Sequence, residues 1–313
     1  MTIAVLGEAL IDFIVGEDGA YRPHLGGSPY NVAIGLARQG MSVSYLSPFS
    51  DDTVGDQLHN FLRTEGVDIP ITRRSLWPTS LALVTVDSEG VPSYRLYREG
   101  IADKDTSFEE VEANLPHDLK VFHTGSLAIT PSQLAKIRKL FELMRQRNIT
   151  ISMDINIRLR ASIDTTAYLE GVRSLLPLAD IVKASNEDLE PFQFATDTRK
   201  AALRAYEEMG AGMLVLTEGR GGALLHTANG VVEAKAFPTT HVADTVGAGD
   251  TFHAAFLAAL LRGSAIGGRF RDVDPKAMKN AVDFACAAAA INVSRVGCNP
   301  PTQSEVEHFM DGI

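Results

Sequence analysis

The 313 residues include 29 Lys and Arg against 39 Asp and Glu, a net charge of −10, with 45% hydrophobic and 22% charged residues. This is the composition of a globular chain with a large core, and its acidic balance argues against a nucleic-acid partner, because phosphate backbones reward clustered Lys and Arg. No apolar run reaches the ~18–20 residues of a membrane helix; the N-terminus lacks a signal-peptide pattern; and two cysteines, Cys286 and Cys298, make neither a disulfide framework nor a four-ligand zinc site. A soluble, cytoplasmic protein is expected.

In chain order, Ile3–Leu6 reads as a strand, followed at once by the strand-like Ala9–Val15. A helix is predicted over Tyr30–Gln39, a strand at Val43–Leu46 and a helix over Gly55–Glu65. Ser80–Asp87 and Val91–Glu99 are two strand-like runs joined by Ser88-Glu89-Gly90, a hairpin signal. Strands at Val121–His123, Thr150–Asp154, Ile181–Lys183 and Met213–Leu216 then alternate with helices over Pro131–Arg147, Thr165–Pro177 and Thr198–Met209, before helices over Thr251–Arg262 and, rich in small residues, Phe284–Ala290. Such alternation predicts an α/β fold with right-handed crossovers and a mainly parallel sheet covered on both faces. The runs within 9–15 and 80–103 predict a small projecting β-sheet, either a lid or a plain edge hairpin. Ligands in parallel sheets gather at the carboxyl ends of strands.

The most informative segment is Asp244-Thr245-Val246-Gly247-Ala248-Gly249-Asp250, immediately ahead of an apolar helix. Small residues there leave backbone N–H groups uncovered at the positive end of the helix dipole, a place that holds phosphate. Asp250 beside an anion hole suits phosphoryl transfer, taking a hydroxyl proton while the amides stabilise the moving group. The alternative is a glycine turn with Asp250 as the helix N-cap. Near the start, Gly26-Gly27 precedes another helix, and Asn31 offers the donor and acceptor that sugar hydroxyls need. Asp12, in an otherwise apolar run, needs a partner: a sugar diol or a backbone cap. A Walker P-loop, the dinucleotide glycine motif, His-Glu-x-x-His and Gly-x-Ser-x-Gly are all absent.

With Gly26-Gly27-x-x-x-Asn31 at one end and Asp244-Thr245-x-Gly247-Ala248-Gly249-Asp250 at the other, the chain resembles the ribokinase-like (PfkB) carbohydrate kinases over essentially its whole length. The resemblance implies one domain over 1–313 with a β-lid, and ATP- and Mg2+-dependent phosphorylation of a sugar hydroxyl. Asp250 is then the base, Gly247, Ala248 and Gly249 the anion hole, and Asp12, Gly26, Gly27 and Asn31 sugar ligands. Thr217, Glu218, Gly219 and Gly222 match the family's nucleotide turn, Cys286 falls in the adenine pocket, and Lys183 leads into the segment near magnesium and phosphate. There the family's Asn-x-x-Glu is not matched: aligned from Lys183, Ser185 stands at the Asn position and Asp188 at the Glu position, one methylene shorter and within reach of Mg2+ through water, while a shift by one residue would bring in Asn186-Glu187 instead. Asp244, Val246, Asn292, Arg295 and Gly297 match a monovalent-cation (K+) site built mostly of backbone carbonyls. Family lids often pair across a dimer, so a homodimer is expected.

The lid run Tyr94–Asp103 and the turn Asp154-Ile155-Asn156-Ile157-Arg158 resemble those of fructokinases in the family. Tyr97, Arg98, Asn156 and Arg158 are thereby expected at the sugar, with Arg98 facing either the substrate or a solvated lid edge. Kinases for 2-keto-3-deoxygluconate share these features, since a substrate carboxylate rewards arginine. A binder without turnover is the third possibility, and Asp250 beside its glycine loop counts against it.

Overall fold

The computed structural model describes residues 2–16, 18–86, 92–239, 241–263 and 274–312. The chain opens with β1 (Thr2–Val5), β2 (Leu10–Val15) and β3 (Tyr21–Gly26), then α1 (Ser28–Arg38), β4 (Ser42–Tyr45) and α2 (Thr53–Thr64). Next come β5 (Ser80–Val86), β6 (Pro92–Tyr97) and α3 (Phe108–Ala113). The middle alternates: β7 (Leu119–Gly125), α4 (Leu134–Gln146), β8 (Thr150–Asp154), α5 (Thr165–Arg173), β9 (Ile181–Ser185), α6 (Asn186–Leu189), α7 (Thr198–Met209) and β10 (Met213–Thr217). The hairpin β11 (Ala223–Thr227) and β12 (Gly230–Ala234) precedes α8 (Ala248–Arg262), α9 (Pro275–Val293) and α10 (Gln303–Asp311).

The main sheet has eight strands in the order β12-β11-β10-β9-β8-β7-β1-β4. Six are parallel, and β11 and β12 turn back antiparallel at one edge. Strand alternation sends side chains to two cores. Met213 and Val215 of β10 join α1, α2, α8, α9 and α10 on one face, while Leu214 and Leu216 join α4, α5 and α7 on the other. The predicted α/β architecture is therefore present, with helices covering both faces.

The projecting sheet has four strands, β3-β2-β5-β6. Its central pair β2 and β5 is parallel, and the two outer pairings are antiparallel. Strand β3 enlarges the predicted lid; its sequence, Tyr-Arg-Pro-His-Leu-Gly, is exposed over its first four residues and shows no apolar alternation. The predicted turn at Ser88–Gly90 lies outside the described residues. Among the described residues no helix is long and apolar enough to cross a membrane.

Candidate active site

A cleft of about 740 Å3 runs along the carboxyl ends of the parallel strands, under the projecting sheet. Its floor is the start of α8. The N-cap of α8 is Gly247, at φ 71°, so Asp250 lies inside the first turn and the N-cap alternative is excluded. A Cβ on Gly247 would stand 2.2 Å from the Cys298 Sγ, so only glycine fits. The first amides of a helix have no acceptor within it. Thr251 N–H donates to the Gly247 carbonyl and Ala248 N–H to the Thr245 carbonyl (3.2 Å). Among the described residues the Gly247, Gly249 and Asp250 amides have no acceptor and are the donors open at the helix mouth, while the Ala248 amide is taken by the Thr245 carbonyl.

Asp250 is buried, and both of its oxygens are held. The Ser28 hydroxyl donates to Oδ1 at 2.7 Å and the Asn31 Nδ2 to Oδ2 at 2.8 Å, both from the first turn of α1. Burial raises the Asp250 pKa, against the opposing hydrogen bonds of Asn31 and Ser28 and the charges of Lys183 and Arg158. A carboxylate oriented in this way, with lone pairs remaining, can accept a proton.

Behind Asp250 lies a buried ion pair. Lys183 of β9 donates to both oxygens of Asp154 at the end of β8, at 3.0 and 2.8 Å. Alternation along β7, β8 and β9 points His123, Ser152, Asp154 and Lys183 to the face that carries α8. The Ser152 hydroxyl bridges the His253 Nε2 (2.6 Å) and the His123 Nδ1 (3.0 Å), and both rings are buried. A Cβ on Gly249 would meet the Lys183 Nζ at 3.2 Å. Lys183 therefore supports the helix mouth from below. Burial opposes its charge, yet the Asp154, Asp188 and Asp250 carboxylates hold its pKa above the ordinary value.

On the side expected to take the sugar, Asp12, Gly27, Asn31, Asn156 and Arg158 line the cleft together with Leu10 and Leu96. Burial pushes Asp12 up to about 6, with Arg158 opposing and Asp250 adding to the rise. Gly26 does not line the cleft; a Cβ there would lie 2.5 Å from the Asp12 Oδ2, so its part is to leave room for that carboxylate. Tyr97 and Arg98 are placed differently from the expectation. Tyr97 is 55% exposed and outside the cleft. Arg98 is buried outside it, donating to Asp103 (2.8 and 3.2 Å) and to the Ser80 hydroxyl (2.8 Å). The nearby acid Asp103 claims its fork.

On the far side, Lys183, Ser185, Asp188, Thr217, Glu218, Gly219, Gly222 and Cys286 share the same cleft. Ser185 and Asp188 form a capping box on α6. The Asp188 oxygens accept from the Ile157 amide, the Ser185 amide and the Ser185 hydroxyl. Gly222 allows close approach: a Cβ would lie 2.0 Å from the Ala234 carbonyl oxygen. Glu218 is paired with Arg199.

The five residues expected at a monovalent cation do come together. Asp244 accepts from the Val246 and Gly297 amides; Asn292 donates to the Val246 carbonyl and accepts from the Asn299 amide; Arg295 donates to the Asn299 carbonyl. Their side chains brace two loops, so a cation there would rely on carbonyl oxygens. Among the described residues no group of three or more His, Cys, Asp or Glu is placed to hold a metal ion. Asp188, a carboxylate in the cleft, fits a magnesium ion that is carried in on nucleotide phosphates and keeps its waters.

Glu8 and Ser28 belong to this site and were missed in the sequence, although Glu8 lies three residues past β1, beyond a strand's carboxyl end. Burial lifts Glu8 to about 7 against the pull of Arg98.

A buried, doubly held carboxylate at a helix mouth, a cleft along the strand ends and a projecting sheet match the architecture expected of a carbohydrate kinase. The pfkB family carbohydrate kinase model matches residues 2–305, and the chain belongs to that family. Among its relatives, a fructokinase of Rhizobium leguminosarum bv. trifolii is 31% identical over 287 residues, covering 90% of this chain and 86% of that one. A 5-dehydro-2-deoxygluconokinase of Clostridium beijerinckii is 27% identical, covering 99% and 93%. The crystal structure of a fructokinase with bound ATP from Xylella fastidiosa superposes with a TM-score of 0.89 at 26% identity, covering 99% and 98%.

Proposed function

We propose that this chain transfers the γ-phosphoryl group of ATP to a hydroxyl of fructose. The observation that carries the reading is Asp250, held on both oxygens by α1 and set beside the open amides of α8. Asp250 takes the proton of the attacking hydroxyl, the sugar oxygen bonds to the γ-phosphorus, and the bond to the bridging oxygen breaks with its electrons leaving on ADP. The Gly249 and Asp250 amides receive the charge that spreads over the phosphoryl oxygens. Magnesium, when bound with the nucleotide, neutralises phosphate charge. Asp188 is the carboxylate to meet its waters, because its own oxygens already serve backbone amides. The turn Thr217–Gly222 and Cys286 take the nucleotide, while Asp12, Gly27, Asn31, Asn156 and Arg158 take the sugar.

A neutral sugar suits the acidic bank of Asp12 and Asp250. The competing substrate, 2-keto-3-deoxygluconate, rewards arginines at its carboxylate, and of the two candidates Arg98 is committed to Asp103, which leaves Arg158 alone in the cleft. The same reading pairs two copies through the projecting sheet, whose outer strands β3 and β6 carry the exposed Tyr21 and Tyr97; sedimentation should give a dimer.

The test is a panel of fructose, ribose, 2-keto-3-deoxygluconate and nucleosides with ATP and magnesium, run on the wild type and on Asp250→Asn. Fructose should lead, and the variant should fold and bind nucleotide while losing about 10²–10⁴ in kcat. Turnover by the variant within about threefold of wild type sinks the base assignment. A kcat/KM about tenfold higher on the keto acid overturns fructose and leaves the kinase standing.

A further inference from the structure

Glu8 is an acid that the phosphoryl-transfer scheme does not use. It is 1% exposed and sits where the chain leaves β1 for the projecting sheet. The fit around it is close. A Cβ on Gly27 would lie 2.4 Å from the Glu8 carbonyl oxygen, and a Cβ on Gly7 would lie 2.2 Å from the Pro29 Cγ. The Glu8 Oε1 accepts from the Ser28 amide at 3.2 Å, and the hydroxyl of that same Ser28 donates to the Asp250 Oδ1 at 2.7 Å.

Glu8 also meets Arg98, the residue that follows β6. The Glu8 Oε2 is buried and, among the described residues, has no partner at full hydrogen-bond geometry, although the Ser126 side chain lies close enough to oppose the rise of its pKa; the buried Arg98 Nε is unpartnered too. Glu8 and Arg98 line one small cavity with about 10 Å3 of free space, enough for a single water molecule. Arg98 follows β6 directly and is fastened to Ser80 of β5 and to Asp103. A carboxylate oxygen and a guanidinium N–H left unpaired in the interior are each costly, and one shared water would satisfy both.

We propose that Glu8 is a positioning residue: through a buried water to Arg98 and a direct bond to the Ser28 amide, it ties the setting of Asp250 to the seating of the projecting sheet. This rests on the reading of Asp250 as the base. Glu8 acts on the reaction only through Ser28, because it is the Ser28 hydroxyl that aims Asp250 Oδ1 and favours its ionised form. The other charged or titratable groups acting on Asp250 are Lys183, Arg158, Asp12, Asp154 and Cys298. None of them is altered in the variants below.

The experiment compares Glu8→Met, which keeps the bulk and removes the acceptor, with Glu8→Gln, which keeps an acceptor for the Ser28 amide. Ser28→Ala and the double variant Glu8→Met/Ser28→Ala complete the set. Glu8→Met and Ser28→Ala should each lower kcat about tenfold or more and move the acidic limb of the kcat–pH profile upward. Glu8→Gln should recover most of the rate. Because Glu8 works through Ser28, the double variant should be no slower than the slower single one.

Multiplying effects in the double variant, or an acidic limb that stays put in Glu8→Met, would overturn the proposal. Should Glu8→Met fail to fold, Arg98→Lys, which keeps a cation for Asp103 and removes the Nε donor, decides: an acidic limb raised as in Ser28→Ala supports the link, and an unmoved limb refutes it. Asp250→Asn separates the two levels. If it keeps turnover, the base reading fails. If it abolishes turnover while Glu8→Met leaves the limb in place, only the role of Glu8 fails.

Discussion

Replacing Lys183 by methionine removes the ammonium from a pair whose side chains are 4% and 0% exposed, and it leaves the chain's bulk almost unchanged. Both Asp154 oxygens lose their donor. Removing one partner of a buried pair costs about 3–5 kcal/mol, a large share of the ~5–15 kcal/mol that holds a domain folded. The loss must depend on pH. Burial already raises the Asp154 pKa, with Lys183 opposing, and without Lys183 it rises further. A carboxyl raised above its unfolded value of ~3.9 leaves stability intact below that value and erodes it as pH climbs through the folded pKa. Lowering the pH from 8 to 6 should then recover up to about 2–3 kcal/mol, at ~1.4 kcal/mol per unit.

The double variant Lys183→Met/Asp154→Leu substitutes apolar bulk for both charges and should return to within about 1 kcal/mol of wild type, since such replacements are often neutral or stabilising. It should remain slow, because the ammonium beneath Gly249 that favours ionised Asp250 is gone. Urea unfolding at both pH values, with kcat in parallel, reads every arm. A single-variant cost independent of pH, or a double variant that loses the sum of the singles, would refute the ion-pair reasoning.

Gly249→Val should abolish turnover, because its Cβ meets the tethered Lys183 Nζ at 3.2 Å and its branches cover the helix-mouth amides; overpacking should cost about 1–3 kcal/mol in urea unfolding. Arg98→Met strands the buried Asp103, so it should cost about 3–5 kcal/mol of stability. Its sugar KM should move far less than the ~1.5–3 kcal/mol of a lost charged contact would require. His123 is held down to about 3 by burial, with Lys183 adding to the effect. Its unfolded form protonates near 6.5, so its contribution is present above that pH and is lost as pH falls toward 3. The stability difference between wild type and His123→Asn should therefore shrink by about 1.4 kcal/mol per unit below pH 6, as read from urea midpoints.

The alternation from Val121 to Leu216 was legible because parallel strands buried on both faces are short β-branched runs, and Thr150–Asp154 and Thr198–Met209 match their predicted bounds. Helix α10 was missed although Thr302 and Glu305 form a capping box, and the Ser185–Asp188 box was read only as a departure from a motif. Strand β3 had no local signal, since pairing with β2 makes it a strand. The glycine loops and Asp250 stood out in the sequence because their composition is unusual. Glu8 did not, because its importance comes from Ser28 and Arg98. Arg98 was assigned to the substrate because nothing in strand periodicity shows that an acid five residues later will claim it.

The two donors that hold Asp250 stand 222 and 219 positions away along the chain. During synthesis α1 emerges early and α8 late. At ~5–20 residues per second, the glycine loop meets its partners roughly 11–44 s after α1 is made. Until that closure Ser28 and Asn31 stand in α1 with no carboxylate to hold. Such long-range closure also predicts slow folding, with α8 docking late. A chain cut short before α8 would have no catalytic Asp250 at all.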